Sequence, residues 1–372
     1  MSMVARPETT DPLFTGHGRL NVLERAGLRL LKDERDLIFL RRMALITFGV
    51  YPAAALMFAC PPWLVAILAL PYIGYVFLFY AARYGLMLHA NGHRPIFKRN
   101  LSFLSYYVPW ALGPFLGHTP TSFSAHHMKM HHIENNMHDD NSTTITYERD
   151  NFLHFLHYWA RFFFFGHIHL VRYLLLRGRT KTARSFVLGE LAWLGIVIAA
   201  SLVNWAAALV VFVVPMLMMR WFMMAGNWGQ HAFVDLSDPD NPFKNSTNLT
   251  NTKYNHKAYN DGYHIVHHLK PGLHWSEMPL YYADNVDEFA EQDALVFDGI
   301  NDNQAIWMAL MKKNYDHLAE RMVDFKGRTH EEKVAHLKSL VKKTSGRRRG
   351  LLEFEKGPQR EDSAGAPAAA RS

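Results

Sequence analysis

The chain has 372 residues, 49% of them hydrophobic and 20% charged, with a formal net charge of +7. That length suits two soluble domains or one membrane domain with cytosolic elaborations. Its single cysteine, Cys60, lies in an apolar run and excludes both a disulfide framework and a thiolate metal site. The positive charge collects at the two ends with no nucleic-acid-binding signature beside it. Basic segments facing anionic lipid account for it, and no nucleic-acid partner is expected.

Taken in order, residues 1–18 read as a loose leader with no cleavable signal. Arg19 to Arg42 has leucines at helical spacing with charges between them, the pattern of an amphipathic helix on a membrane surface. Residues 1–42 together form a cytosolic leader and amphipathic helix. Met43 to Ala82 carries no charge and is long enough for two membrane passes of roughly 20 residues each, broken at Pro61-Pro62. Leu101 to Gly117 is uncharged but shorter and interrupted by prolines, and reads as a re-entrant or interfacial segment. Residues 152–176 mix aromatics with His and Arg, as an interfacial helix does. Ser185 to Met219 is the second long apolar stretch; Glu190 is its only charge, and Asn204-Trp205 divides it into a second hairpin. Residues 285–342 read as a cytosolic helical extension, and 343–372 as a disordered basic tail. Lys and Arg avoid both hairpin tips and are plentiful near the ends. The positive-inside rule therefore puts both termini and every histidine cluster in the cytoplasm.

Between these stretches lie the histidines. HANGH offers His89 and His93, and HHMKMHH offers four imidazoles within seven residues. In the latter, His127, His131 and His132 form H-x-x-x-H-H; His126 could open the motif in place of His127, but spacing favours His127. NWGQH holds Asn227 and His231, and HIVHH holds His264, His267 and His268. Read as helices, these spacings put the imidazoles of each cluster on one face, where neutral imidazoles can converge on Zn, Cu, Fe or Ni. A single cluster could equally be a polar helix making ordinary hydrogen bonds; several clusters in succession weaken that alternative. Nine histidines exceed the coordination sphere of one ion, so two metals are expected. No H-E-x-x-H supplies a zinc hydrolase base, and no G-x-S-x-G elbow marks a serine hydrolase. A metal pair beside the membrane can reach a lipid tail, and O2-activating iron can break an unactivated C–H bond, which protein side chains cannot.

With HANGH, HMKMHH and HIVHH in this order between two hydrophobic hairpins, and NWGQH as an additional Asn-x-x-x-His element, the chain resembles the membrane fatty acid desaturase and hydroxylase superfamily over roughly residues 40–280. The resemblance implies an all-α integral membrane fold. Residues 43–284 would be the membrane desaturase-like domain with the histidine boxes: four transmembrane helices in two hairpins, with interfacial helices and a cytosolic histidine-rich di-iron domain. It implies a non-haem di-iron cofactor with His89, His93, His127, His131, His132, His231, His264, His267 and His268 as ligands, and Asn227 bound directly or through water. It also implies a lipid or fatty acyl substrate, O2, and a separate electron donor, a ferredoxin or cytochrome b5 with its reductase. Asp261, one turn before His264, is a candidate to orient a ligating imidazole. Two features depart from front-end desaturases with a fused donor domain: the third box opens with His264 rather than Gln, and H-P-G-G is absent. The spacings are also similar to those of alkane hydroxylases, which usually have six spans. Desaturation is the leading expectation and hydroxylation the alternative. A histidine-rich metal-binding transporter is a remote third, since transport usually needs ionisable groups deep within the spans.

Overall fold

The computed structural model describes residues 7–344, so almost all of the expected basic tail lies outside the described residues. The chain is mostly helical and divides into two compact units. Of the described residues, one unit comprises 14–126 and 179–221; the other comprises 7–13, 127–178 and 222–344.

In the first unit, the continuous amphipathic helix expected from Arg19 to Arg42 is not formed. A short helix, Val22–Leu28, starts on a capping box between Asn21 and Glu24. The chain then extends so that Leu31 pairs with Phe97, with Lys32 N donating to Ile96 O (2.9 Å) and Lys98 N to Leu30 O (3.0 Å). Asp33 caps the turn Glu34–Asp36 that leads into the helix Leu37–Ala59. That backbone pairing outweighs the helical periodicity of the leucines.

The break at Pro61-Pro62 follows from proline chemistry. Pro61 is extended and Pro62 takes the first helical position, where a missing N–H costs nothing. The helix Pro62–Val76 passes through a π-helical turn, Phe77–Ala81, into the helix Ala82–His93. Residues Arg99–Leu116 wind through 3₁₀ and π turns rather than a regular helix and stop at Gly117, whose left-handed backbone (φ +84°) suits glycine. The helix Thr180–Ala208 is interrupted at Asn204 (φ −156°, ψ 100°). The Asn204 Oδ1 accepts from Ala207 N (3.2 Å), and its Nδ2 donates to the Cys60 carbonyl (2.8 Å), so one side chain ties the two turns together. Glu190 before the break meets Arg220 after it at 3.9 Å, and the Thr119 hydroxyl donates to Glu190. Among the described residues, three helical stretches are long and apolar enough to cross a membrane: Glu34–Ala59, Pro62–His93 and the interrupted Thr180–Gln230.

The second unit departs from all-α. It contains a small sheet in which β1 (Asn248–Thr250) pairs parallel with β2 (Val296–Asp298), and β2 pairs antiparallel with β3 (Met322–Val323). Strands this short carry no readable alternation. The segment 285–342, expected as an extension, shares one apolar core with residues flanking the histidine motifs: Phe297, Leu310, Leu318 and Leu337 pack with Ala232, Phe233 and Leu249. The leader is not loose where it is described. The buried Asp11 carboxylate accepts from Asn251 N (2.7 Å), Thr252 N (3.1 Å) and the Tyr263 hydroxyl (2.7 Å). A carboxylate that meets three donors pins its chain segment.

Candidate metal centre

The second histidine cluster sits on a π-helix, Ser124–His131, running into the short helix His132–Glu134. Its i→i+5 geometry makes residues five apart neighbours. His127 and His132 accordingly face each other, Nε2 to Nε2 at 3.0 Å, while His131 turns elsewhere. The third cluster forms the helix His264–Leu269. Asn248 on β1 fixes its start, with Oδ1 accepting from Ile265 N at 2.8 Å. His264 and His268, one turn apart, approach Nε2 to Nε2 at 3.1 Å, and His267 points to a different neighbour.

Two sets of imidazoles result within this unit. In one, His264 Nε2 faces both His231 Nε2 (3.1 Å) and His268 Nε2 (3.1 Å), and His131 completes the group. In the other, His132 Nε2 faces His127 Nε2 (3.0 Å) and His267 Nε2 (2.8 Å). Each adjacent pair, His131-His132 and His267-His268, is thus divided, one imidazole to each set. The sets adjoin: the His132 and His268 ring centroids are 4.9 Å apart. His89 and His93 belong to the other unit, one turn apart on the helix Ala82–His93 with centroids at 5.2 Å.

This arrangement fits a metal better than a hydrogen-bonded core. A nitrogen flanked by two others at about 3 Å cannot satisfy both with the single proton of a neutral imidazole. Imidazole–metal bonds of ~2.1 Å meeting at right angles place neighbouring nitrogens ~3.0 Å apart, the spacing seen in both sets. In the set of His131, His231, His264 and His268, all four ligand atoms lie within 4.8 Å of one another.

The partners behind the rings fix which nitrogen faces the set. His231 Nδ1 donates to Asn245 O (2.8 Å), leaving Nε2 as the lone-pair atom. Burial, then the neighbouring His131, pulls the His231 pKa down to about 4, so it is neutral, as a ligand must be. His131 Nδ1 lies 2.6 Å from Asp140 Oδ2, both buried. A buried amide ladder backs them: Asn245 Nδ2 donates to Asn135 O, and Asn136 Nδ2 to Asn245 Oδ1 and Thr144 Oγ1. Asn227 has both amide hydrogens engaged, on Ser142 O (3.0 Å) and Tyr158 Oη (2.8 Å).

Asp140 was not legible as a functional residue, because a loop and not a periodic element returns it to His131. Its one signal is position: it lies within the polar run NNMHDDNSTT that follows the second box. Asp261 accepts from the Tyr254 hydroxyl (2.7 Å) and Gln230 Nε2 (3.4 Å). Among the histidines outside the motifs, His154 Nδ1 accepts from Glu148 N, His157 meets Tyr147, and His274 caps the turn Trp275–Glu277. His118 is buried in the other unit, where burial and then Arg220 lower its pKa to about 3.

Helices long and apolar enough to cross a membrane, together with two imidazole sets whose spacing could hold metal ions, are the marks of a helical membrane protein with a candidate metal site. The comparison of families specifies it further. The chain belongs to the fatty acid desaturase family, whose model matches residues 25–299. No curated protein and no solved structure matches it.

Proposed function

We propose that this protein is an O2-dependent fatty acyl desaturase with a di-iron centre, placing a C=C bond in a long acyl chain. The observation that carries the proposal is the division of the two adjacent histidine pairs between two imidazole sets, a pattern that serves two ions and has no purpose for one. His131, His231, His264 and His268 hold one iron. His127, His132 and His267 hold the other, and the family's motif order assigns His89 and His93 as ligands as well. Asn227 presents its amide oxygen, since both of its amide hydrogens are taken.

When bound, such an iron pair supplies the O2 chemistry that no side chain can perform. The chain's own residues do the positioning. Asn245 and Asp140 hold the Nδ1 atoms of His231 and His131 so that both Nε2 atoms face inward. The apolar helices bring the acyl chain within reach. We further propose four spans, with the Thr180–Gln230 stretch folded back at Asn204 into two. Both termini and the histidine motifs then lie on the cytoplasmic side, and a separate ferredoxin or cytochrome b5 system docks there to deliver electrons.

Hydroxylation by the same centre is the second reading, since the histidine spacings and the Asn-x-x-x-His element are also similar to those of alkane hydroxylases. The test of the centre is elemental analysis of purified protein. About two irons per chain are expected, and lipid profiles of expressing cells should gain an unsaturated product that a His267→Ala variant lacks. One zinc and no iron would overturn the reading.

A further inference from the structure

The loop after the second histidine motif touches three of the proposed ligands. Asp140 Oδ2 holds His131 Nδ1 at 2.6 Å. Ser142 Oγ donates to Asp140 Oδ1 (2.8 Å), as does Ser142 N (2.8 Å), and the Ser142 carbonyl accepts from Asn227 Nδ2 (3.0 Å). Thr144 Oγ1 donates to the His231 carbonyl at 2.6 Å. Two of these contacts, from Asp140 and Thr144, fall on His131 and His231 of one set, and the Ser142 carbonyl meets Asn227. Asp140, Ser142 and Thr144 are each at most 2% exposed.

We infer that Asp140, steadied by Ser142, is the positioning residue for one metal of the pair: it secures the ion held by His131, His231, His264 and His268, and leaves the other set largely independent. This rests on the two-metal reading above. The physical reason is tautomeric. A buried carboxylate can only accept, so the imidazole proton sits on Nδ1 and Nε2 keeps its lone pair for the metal. An amide at the same place can offer N–H to Nδ1, which moves the ring proton to Nε2 and blocks coordination. A carboxylate behind a ligating imidazole also raises its basicity.

The experiment compares Asp140→Asn, Ser142→Ala and wild type, all full-length in detergent. Iron per chain is read by elemental analysis and the two sites are resolved by ⁵⁷Fe Mössbauer spectroscopy. Asp140→Asn should fall from about two irons to about one, losing one spectral component, with metal affinity at that site ~10–100-fold weaker. Ser142→Ala should shift the same component by a smaller factor. Far-UV circular dichroism and thermal unfolding of the metal-free proteins should match wild type, which a merely structural role would not allow. Two irons with an unchanged spectrum in Asp140→Asn would overturn the inference alone. Loss of both irons together with the fold would overturn it as well, by making Asp140 a general folding residue. A wild type that does not hold two metals would overturn the two-metal reading and this inference with it.

Discussion

Arg149 is fully buried, and its guanidinium donates to the carbonyls of Ala232, Thr144, Tyr147, Leu340 and Lys342. Burial pulls its pKa down to about 9, so it is still a cation at neutral pH. Removing it takes a charged donor from five carbonyls, of which Thr144 O and Leu340 O keep the backbone donors Tyr147 N and Val234 N. The cost of breaking such a buried charged network is about 3–5 kcal/mol. Arg149→Met should therefore lower the thermal midpoint by on the order of 10 °C; an unchanged midpoint would contradict the clamp. Neighbouring Asp150 carries a pH dependence of definite sign. Burial would raise its pKa, but hydrogen bonds from Lys313 Nζ and Tyr315 Oη (each 2.8 Å) outweigh that and hold it below the usual 3.8. A depressed carboxylate contributes stability that is complete above its unfolded value and is lost as pH falls through the folded one. Wild type should thus exceed Asp150→Asn in thermal midpoint at pH 6, and the gap should close below pH 3.8.

Among the elements, the helix Val214–Gln230 carries Asn227 and leads into His231 of the proposed metal centre, with a close approach at Gly229. A Cβ there would collide with the Asn303 carbonyl oxygen on the helix Asn303–Met311. Backbone against backbone cannot yield cheaply, so Gly229→Ala should destabilise by ~1–3 kcal/mol and lower iron retention at the set containing His231. Normal stability with normal iron would show that the two helices separate freely. Elements like these also mark where sequence reading stops. The helix break at Pro61-Pro62 and the interruption at Asn204 were legible, because proline lacks an N–H and asparagine caps well. The histidine motifs were legible as candidate metal ligands from their spacing and their number. What spacing did not reveal was the π-helical winding of Ser124–His131, since α and π turns share the same residue types. Read as an α-helix, His127 and His131 belong together; wound as a π-helix, His127 pairs with His132. The pairing of Leu31 with Phe97, the three short strands and the Asp11 strap depend on contacts remote in sequence, which periodicity does not encode.

For the whole molecule, the question is which product the site yields. The chain carries no G-x-G-x-x-G fingerprint and no cysteine set for an iron–sulfur cluster. Forming one C=C bond while reducing O2 to water takes two electrons from the substrate and two from an external donor. Desaturation and hydroxylation share removal of the first hydrogen. They part on whether the substrate radical loses a hydrogen from the adjacent carbon or captures oxygen. An acyl chain bent so that two neighbouring carbons face the metals favours the alkene; one exposed carbon favours the alcohol. Displacements of about 1 Å are enough to change such outcomes. Among the described residues, three helical stretches are of spanning length and one of them is interrupted at Asn204, a count closer to the four spans of desaturases than to the six usual in alkane hydroxylases. The product expected from a deuterated fatty acyl lipid under ¹⁸O2, with a ferredoxin or cytochrome b5 system supplying electrons, is an alkene that has lost two vicinal deuterons and carries no ¹⁸O. Mass spectrometry reads both features at once. An alcohol retaining ¹⁸O, with no alkene formed, would reassign the protein as a hydroxylase while leaving the two imidazole sets and their supports as described.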